Sequence, residues 1–131
     1  MNRKLRVGYK QLLDEANSQI EALSVEQARA LHGAYGVQFV DLRDIRELKS
    51  EGKIPDAFHM PRGMLEFWID PDSPYYKNVF DRNEQYVFYC KSGWRSALAT
   101  KTAQDMGLDG VCHIDGGFDA WKNSQGSVEE I

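Results

Sequence analysis

Gln85-Tyr86-Val87-Phe88-Tyr89-Cys90-Lys91-Ser92-Gly93-Trp94-Arg95-Ser96-Ala97-Leu98-Ala99 is the stretch from which the architecture of this chain can be read. Its first part, Tyr86 to Tyr89, is aromatic and β-branched, which suits a short buried strand. From Ser96 onward, Ala97, Leu98, Ala99, Thr102, Ala103 and Met106 recur at helical spacing until Gly107 stops the pattern. A turn of small and basic residues, opened by a cysteine, joins the two. In a parallel α/β sheet such a strand-to-helix turn lies at the carboxyl ends of the strands, where these sheets bind ligands.

The residues of that turn imply a chemistry. A thiol is nucleophilic as the thiolate, which is favoured near a helix N-terminus and near basic side chains. Cys90 is expected to have both, with Lys91 and Arg95 beside it and a helix starting a few residues on. The amides of residues 91 to 95 can curl around the sulfur as an anion-binding nest, and Gly93 permits the backbone angles that such a curl requires. A free cysteine at the end of an apolar strand is otherwise most often a small buried hydrophobe. The basic, glycine-containing context argues for an anion cradle with a nucleophile at its base.

Working outward, 131 residues fit one domain with a real core, and 42% hydrophobic with 27% charged residues is ordinary for a globular protein. A net charge of -4 and the lack of a basic stripe argue against a nucleic-acid partner. Two cysteines do not make a disulfide framework, and no run is long and apolar enough for a membrane span. A cytoplasmic setting with reduced thiols is expected. Cys90, Cys112, His32, His59 and His113 show no paired ligand spacing, so neither metal nor other cofactor is expected.

In chain order, residues 1 to 8 read as a frayed basic start. Leu12, Leu13, Ala16, Ile20 and Leu23 fall on one face, predicting an amphipathic helix from Tyr9 to Leu23 that packs on the body. Ser24-Val25-Glu26-Gln27 is a capping-box pattern opening a second helix that Gly33 closes. Val37 to Asp41 reads as a strand, Ile45 to Ser50 as a short helix, and Ala57 to Met60 as a brief strand. Asp41 and Arg43, opposite charges at a strand end, read as a structural ion pair and turn cap. His59 is expected to pack or hydrogen-bond rather than act as a base. A short helix over Gly63 to Ile69 precedes a long aromatic loop to Phe80, and Trp68, Tyr75 and Tyr76 are candidates to wall a pocket. Val111 to Ile114 is a further strand, with Cys112 taken as core. Asp115-Gly116-Gly117 turns the chain into a last helix, and residues from Asn123 on read as frayed and acidic. Strands alternating with helices predict a parallel α/β sheet with helices on both faces.

Val40-Asp41-Leu42-Arg43, Glu47-Leu48, Gly52-Lys53-Ile54-Pro55-Asp56-Ala57, Tyr89-Cys90-Lys91-Ser92-Gly93-Trp94-Arg95-Ser96 and Asp115-Gly116-Gly117-Phe118-Asp119-Ala120-Trp121 stand in the order of the rhodanese family, which the chain resembles over roughly residues 24 to 122. The resemblance implies a rhodanese-like α/β fold on a five-stranded parallel sheet: residues 1–23 form an N-terminal helical extension and 24–131 the rhodanese-like domain. It implies a sulfurtransferase in which Cys90 takes a sulfane sulfur from a small anionic donor such as thiosulfate. The resulting persulfide passes that sulfur to a thiophilic acceptor, a thiol or a protein. Lys91, Ser92, Gly93, Trp94 and Arg95 would hold the donor and the persulfide charge, and Asp41 and Arg43 match the family's acid–base pair near the site. Lys53 and Lys91 depart from the histidine and arginine that many members carry; lysine is a point charge where arginine grips oxyanions in a fork.

Two other readings share the residues. Cysteine phosphatases have five residues between cysteine and arginine, whereas four, Lys91 to Trp94, separate Cys90 from Arg95 here. The shorter loop makes a tighter cradle, sized for a terminal sulfur rather than a tetrahedral phosphoryl group. A non-catalytic docking module on the same fold would be expected to lose the nucleophile.

Overall fold

In the computed structural model, residues 3–131 are described; Met1 and Asn2, part of the expected frayed start, lie outside the described residues. Five strands, β1 (Ala22–Leu23), β2 (Val37–Asp41), β3 (Phe58–His59), β4 (Gln85–Tyr89) and β5 (Val111–Ile114), form one sheet in the order β1-β5-β4-β2-β3. Every neighbouring pair is parallel. β4 is central, flanked by β2 and β5, and its Tyr86 to Tyr89 are all buried, as expected of a strand covered on both faces.

Side-chain alternation along the strands divides the core into two layers. Val40, Tyr86, Phe88 and Val111 point to one face, where they meet Leu65, Ile69, Ala99 and Ala103. Those partners come from α4 (Leu65–Ile69) and α5 (Trp94–Asp105). Phe39, Val87, Tyr89, Cys112 and Ile114 point to the other face, against Ala28, Phe118 and Trp121. These belong to α2 (Val25–Leu31) and α6 (Gly117–Asn123). Ser96, Ala97, Ala99, Thr100 and Ala103 are the buried residues of α5, and their small size lets its backbone approach the sheet closely.

Local chemistry sets the boundaries. Ser24 caps α2 in a capping box with Gln27, and Asp44 does the same with Glu47 for α3 (Ile45–Glu51). Gly33, with φ +83°, follows α2 in the left-handed region.

Two expectations need correction. The first helix, α1 (Tyr9–Gln19), stops four residues short of Leu23. Ile20 is extended, and Ala22 and Leu23 pair in parallel with His113 and Ile114, so the edge strand starts within the stretch read as helix. Ala16 is the fully buried residue of α1, which lies against α5 and is tied to it by Gln104 Nε2, donating to the Gln19 carbonyl at 2.9 Å. The acidic tail is not frayed either. Trp121 Nε1 donates to the Ser127 carbonyl at 2.7 Å, and the backbones of Lys53 and Glu129 bond reciprocally at 2.9 and 2.8 Å. The indole and a single backbone bridge hold a segment with no periodicity of its own.

Candidate active site

Cys90 follows β4 directly, and α5 begins four residues later at Trp94. The turn is tight enough for the helix to start over the sulfur. Cys90 Sγ accepts the N–H groups of Gly93 (3.2 Å) and Ser96 (3.3 Å) and lies 3.5 Å from Ser96 Oγ. Gly93 caps α5 at φ +109° and ψ -5°, angles that an L side chain adopts only under strain. Cys90 as a residue is only 1% exposed, and the amides converge on its sulfur. Amides at a helix N-terminus carry partial positive charge and favour an anion.

A second helix locks the turn from below. Phe118 N–H donates to the Cys90 carbonyl at 2.8 Å and Asp119 N–H to the Lys91 carbonyl at 3.0 Å, so the start of α6 binds the loop's outward carbonyls. The glycine turn makes this possible. A Cβ on Gly117, at φ +60°, would stand 2.6 Å from both carbonyl oxygens, closer than real contacts allow.

The wall beside β4 comes from β2. Asp41 is the register partner of Tyr89, and Leu42 N–H donates to the Tyr89 carbonyl at 2.9 Å. Asp41 and Arg43 are both 0% exposed and joined in a fork, with Nη2 to Oδ2 at 2.7 Å and Nε to Oδ1 at 3.0 Å. Arg43 Nη2 also donates to the Gly52 carbonyl at 2.7 Å, and the guanidinium lies 4.2 Å from the Phe118 ring centroid. Burial is the largest single influence on Arg43 and opposes its charge, but the hydrogen bond to Asp41 and the attraction of Asp41, Tyr89 and Glu47 together outweigh it and hold the guanidinium above its ordinary range. The fork ties β2, the Gly52 turn and α6 together behind the cysteine loop.

The loop's own side chains are placed differently from one another. Lys91, Ser92 and Trp94 are exposed, and Arg95 is half-buried. Trp94, 59% exposed, packs against Tyr9 of α1 with ring centroids 5.2 Å apart and the rings tilted by 39°. Arg95 is bound in a fork by Glu47 of α3, at 2.8 and 3.0 Å. This bonding pushes the Arg95 guanidinium up and the Glu47 carboxyl down. Lys91 Nζ is shared by Glu51 (3.1 Å) and Asp119 (3.2 Å), whose hydrogen bonds hold the ammonium above its ordinary range. Both cations expected to bind a donor are thus engaged by carboxylates.

Other candidates lie elsewhere. Trp68 packs against Phe58 with Lys77 over its ring, Tyr75 is exposed, and burial pushes the half-buried Tyr76 up. His59 Nε2 is 2.7 Å from the Arg43 carbonyl. Cys112 is in the core, where burial pushes its thiol up to about 11. Among the described residues, no three histidine, cysteine or carboxylate side chains gather closely enough to hold a metal ion. Sequence reading did not foresee that Ser96 and His113 join the site: Ser96 Oγ is 2.9 Å from His113 Nδ1. The only signal was one polar residue in the otherwise apolar strand Val111–Ile114.

The family model described as "Rhodanese-like domain" matches residues 24–124. The Bacillus subtilis (strain 168) protein named "Putative sulfurtransferase YtwF" is 34% identical over 83 residues, 63% of this chain and 71% of that protein. A solved structure from Rhodopseudomonas palustris CGA009, of a protein of unknown function described as a "Possible Tyrosine Phosphatase", is 56% identical at a TM-score of 0.96, covering 98% of this chain and 99% of that one. The homodimeric polysulfide-sulfur transferase of Wolinella succinogenes is 26% identical at a TM-score of 0.70, covering 94% of this chain and 88% of that chain.

Proposed function

From the premise that the chain belongs to the rhodanese-like domain family, we propose that it is a sulfurtransferase working through a persulfide on Cys90. One observation carries the reading: Cys90 Sγ accepts two main-chain N–H groups at the start of α5. A cradle of this kind stabilises a thiolate, and then the negative charge of a second sulfur about 2 Å farther out.

The steps balance without a cofactor. The Cys90 thiolate attacks the outer sulfur of a donor such as thiosulfate, an S–S bond forms, and sulfite leaves with the electron pair of the cleaved bond. An acceptor thiolate or cyanide then attacks the outer sulfur and Cys90 departs as thiolate. Gly93 and Ser96 hold the inner sulfur, and the remaining loop amides, of Lys91, Ser92, Trp94 and Arg95, meet the outer one. Lys91 and Arg95 meet the donor's oxyanion once it competes with Glu47, Glu51 and Asp119 for them. Asp41 and Arg43 keep the wall rigid. Free thiols at Cys90 and Cys112 suit a reducing, cytoplasmic setting.

The name carried by the Rhodopseudomonas palustris relative favours a second reading, a cysteine phosphatase. Against it stand the four-residue spacing and the engagement of Arg95 by Glu47. Purified protein with thiosulfate and cyanide should release thiocyanate, and the Cys90→Ser variant should not. Equal rates for the two would remove Cys90 from the mechanism. Turnover of p-nitrophenyl phosphate dependent on Cys90, without thiocyanate, would favour the phosphatase.

A further inference from the structure

Behind Cys90 a chain of side chains leads into the protein rather than out of it. Cys90 Sγ is 3.5 Å from Ser96 Oγ, and Ser96 Oγ is 2.9 Å from His113 Nδ1. Ser96 is fully buried and His113 is 2% exposed. The fold makes the juxtaposition: His113 pairs with Phe88 across β4 and β5, two residues before Cys90, and faces α5, where Ser96 occupies the first turn. The other ring nitrogen, Nε2, is buried without a hydrogen-bond partner. A buried polar atom left unpaired is costly, and this one lies on the far side of a ring already joined to the nucleophile.

We infer that His113 is the proton acceptor for Cys90, reached through the Ser96 hydroxyl. In the resting state the thiol donates to Ser96 Oγ, Ser96 donates to the lone pair on Nδ1, and Nε2 carries the ring proton. When Cys90 ionises, its proton moves to Ser96 as the serine proton moves to Nδ1. The thiolate then accepts three donors, the two amides and the Ser96 hydroxyl, and faces an imidazolium through that hydroxyl. Given the sulfur-transfer reading on which this rests, the proton stays on His113 while the persulfide forms and is discharged, and it returns to Cys90 afterwards. His113 is in this sense a positioning and proton-holding residue, since it touches Ser96 rather than the substrate.

The groups around the ring are consistent with that role. Burial keeps the imidazole down, outweighing the attraction of Asp115 beyond the end of β5, which favours the neutral ring that accepts from Ser96. The turn contributes Ser96 and Cys90. From the β1 side His113 meets backbone, its N–H donating to the Glu21 carbonyl at 3.2 Å. A thiolate created nearby is the compensating charge that an imidazolium there requires.

The test follows Cys90 alkylation by iodoacetamide against pH in the full chain, for the parent, Ser96→Ala, His113→Asn and the double variant. Asparagine can still accept from Ser96 but cannot take up a proton. Each single variant should alkylate about tenfold more slowly at pH 7, with the rising limb moved to higher pH, and the double variant should be no slower than either. A parent-like profile in His113→Asn overturns the relay. Nitrogen-15 NMR of the ring keeps the question decidable if a variant fails to fold. In the parent at pH 7, where Cys90 is expected to alkylate fast, both ring nitrogens should be protonated, and in Cys90→Ser the ring should stay neutral there. A neutral ring in the parent under those conditions sinks the inference. Neither readout involves sulfur transfer, so failure of the persulfide reading would show separately, as no thiocyanate from a protein with the expected alkylation profile.

Discussion

Replacing Gly93 by alanine isolates what the amide cradle contributes. A Cβ there would meet Gly116 N at 3.4 Å, Ile114 O at 3.9 Å and His113 Cε1 at 4.0 Å, so room is nearly sufficient and backbone strain dominates. Holding alanine at φ +109° costs about 1–3 kcal/mol. Relaxing toward the left-handed minimum near φ +57° turns the peptide plane and carries the N–H away from Sγ, now 3.2 Å away. A hydrogen bond to an ionised group contributes about 1.5–3 kcal/mol, and each 1.4 kcal/mol is about tenfold in an equilibrium. Gly93→Ala should therefore lower unfolding stability by about 1–3 kcal/mol in urea titrations. Iodoacetamide alkylation of Cys90 at pH 7 should slow about ten- to hundredfold. Gly33→Ala is the matched control: its φ is +83°, nothing lies within 4 Å of the added Cβ, and it stands away from the sulfur. It should lose stability and keep the alkylation rate. If Gly93→Ala also alkylates like the parent while losing stability, the amide does not activate Cys90.

Other outcomes follow from the same geometry. Glu47→Gln releases the fork on Arg95 but can still cap α3, so the KM for thiosulfate should fall several-fold in the cyanide assay; an unchanged KM would mean that Arg95 does not meet the donor. Because Arg95 holds the Glu47 carboxyl below its ordinary value, that tie stabilises the fold fully above about pH 4.3 and fades as pH falls through the lowered value. The melting-temperature advantage of the parent over Glu47→Gln should accordingly vanish in acid and be flat at neutral pH. Removing Asp41 as Asp41→Ala leaves a buried guanidinium unpaired and should cost about 3–5 kcal/mol of stability, read by urea unfolding; a cost below about 1 kcal/mol would mean that water reaches Arg43. Cys112, its thiol pushed up to about 11 by burial, should stay unalkylated in native protein at pH 7 and react only after unfolding, as peptide mapping would show.

Much of the fold was legible because strand and helix periodicities are strong where elements are long. Tyr86 to Tyr89, the α5 apolar pattern and the capping box at Ser24 each pointed to the element that forms. Ala22–Leu23 was not legible, since two residues carry no period and the apolar spacing of α1 runs on through them. The tail escaped for the same reason, held by the bridge between Lys53 and Glu129, by the Trp121 indole and by Arg29, which donates to the Ser124 carbonyl. At the site, the cysteine, the glycine and the helix start are local and could be read from spacing. Partnerships across the sheet could not. Ser96 and His113 are 17 residues apart and meet only through the pairing of β4 with β5, and Arg95 finds Glu47 from 48 residues away. Charge counts show that Lys91 and Arg95 are cationic but not that carboxylates already engage them.

Whether the cradled sulfur of Cys90 carries a second sulfur is measured directly by mass spectrometry of the intact chain and of its Cys90 peptide after exposure to thiosulfate. The peptide should gain one sulfur atom, absent from Cys90→Ser and lost again when cyanide is added. An unmodified Cys90 peptide after exposure to thiosulfate, polysulfide and thiol persulfides, from protein whose Cys90 still alkylates readily, would contradict a persulfide on Cys90.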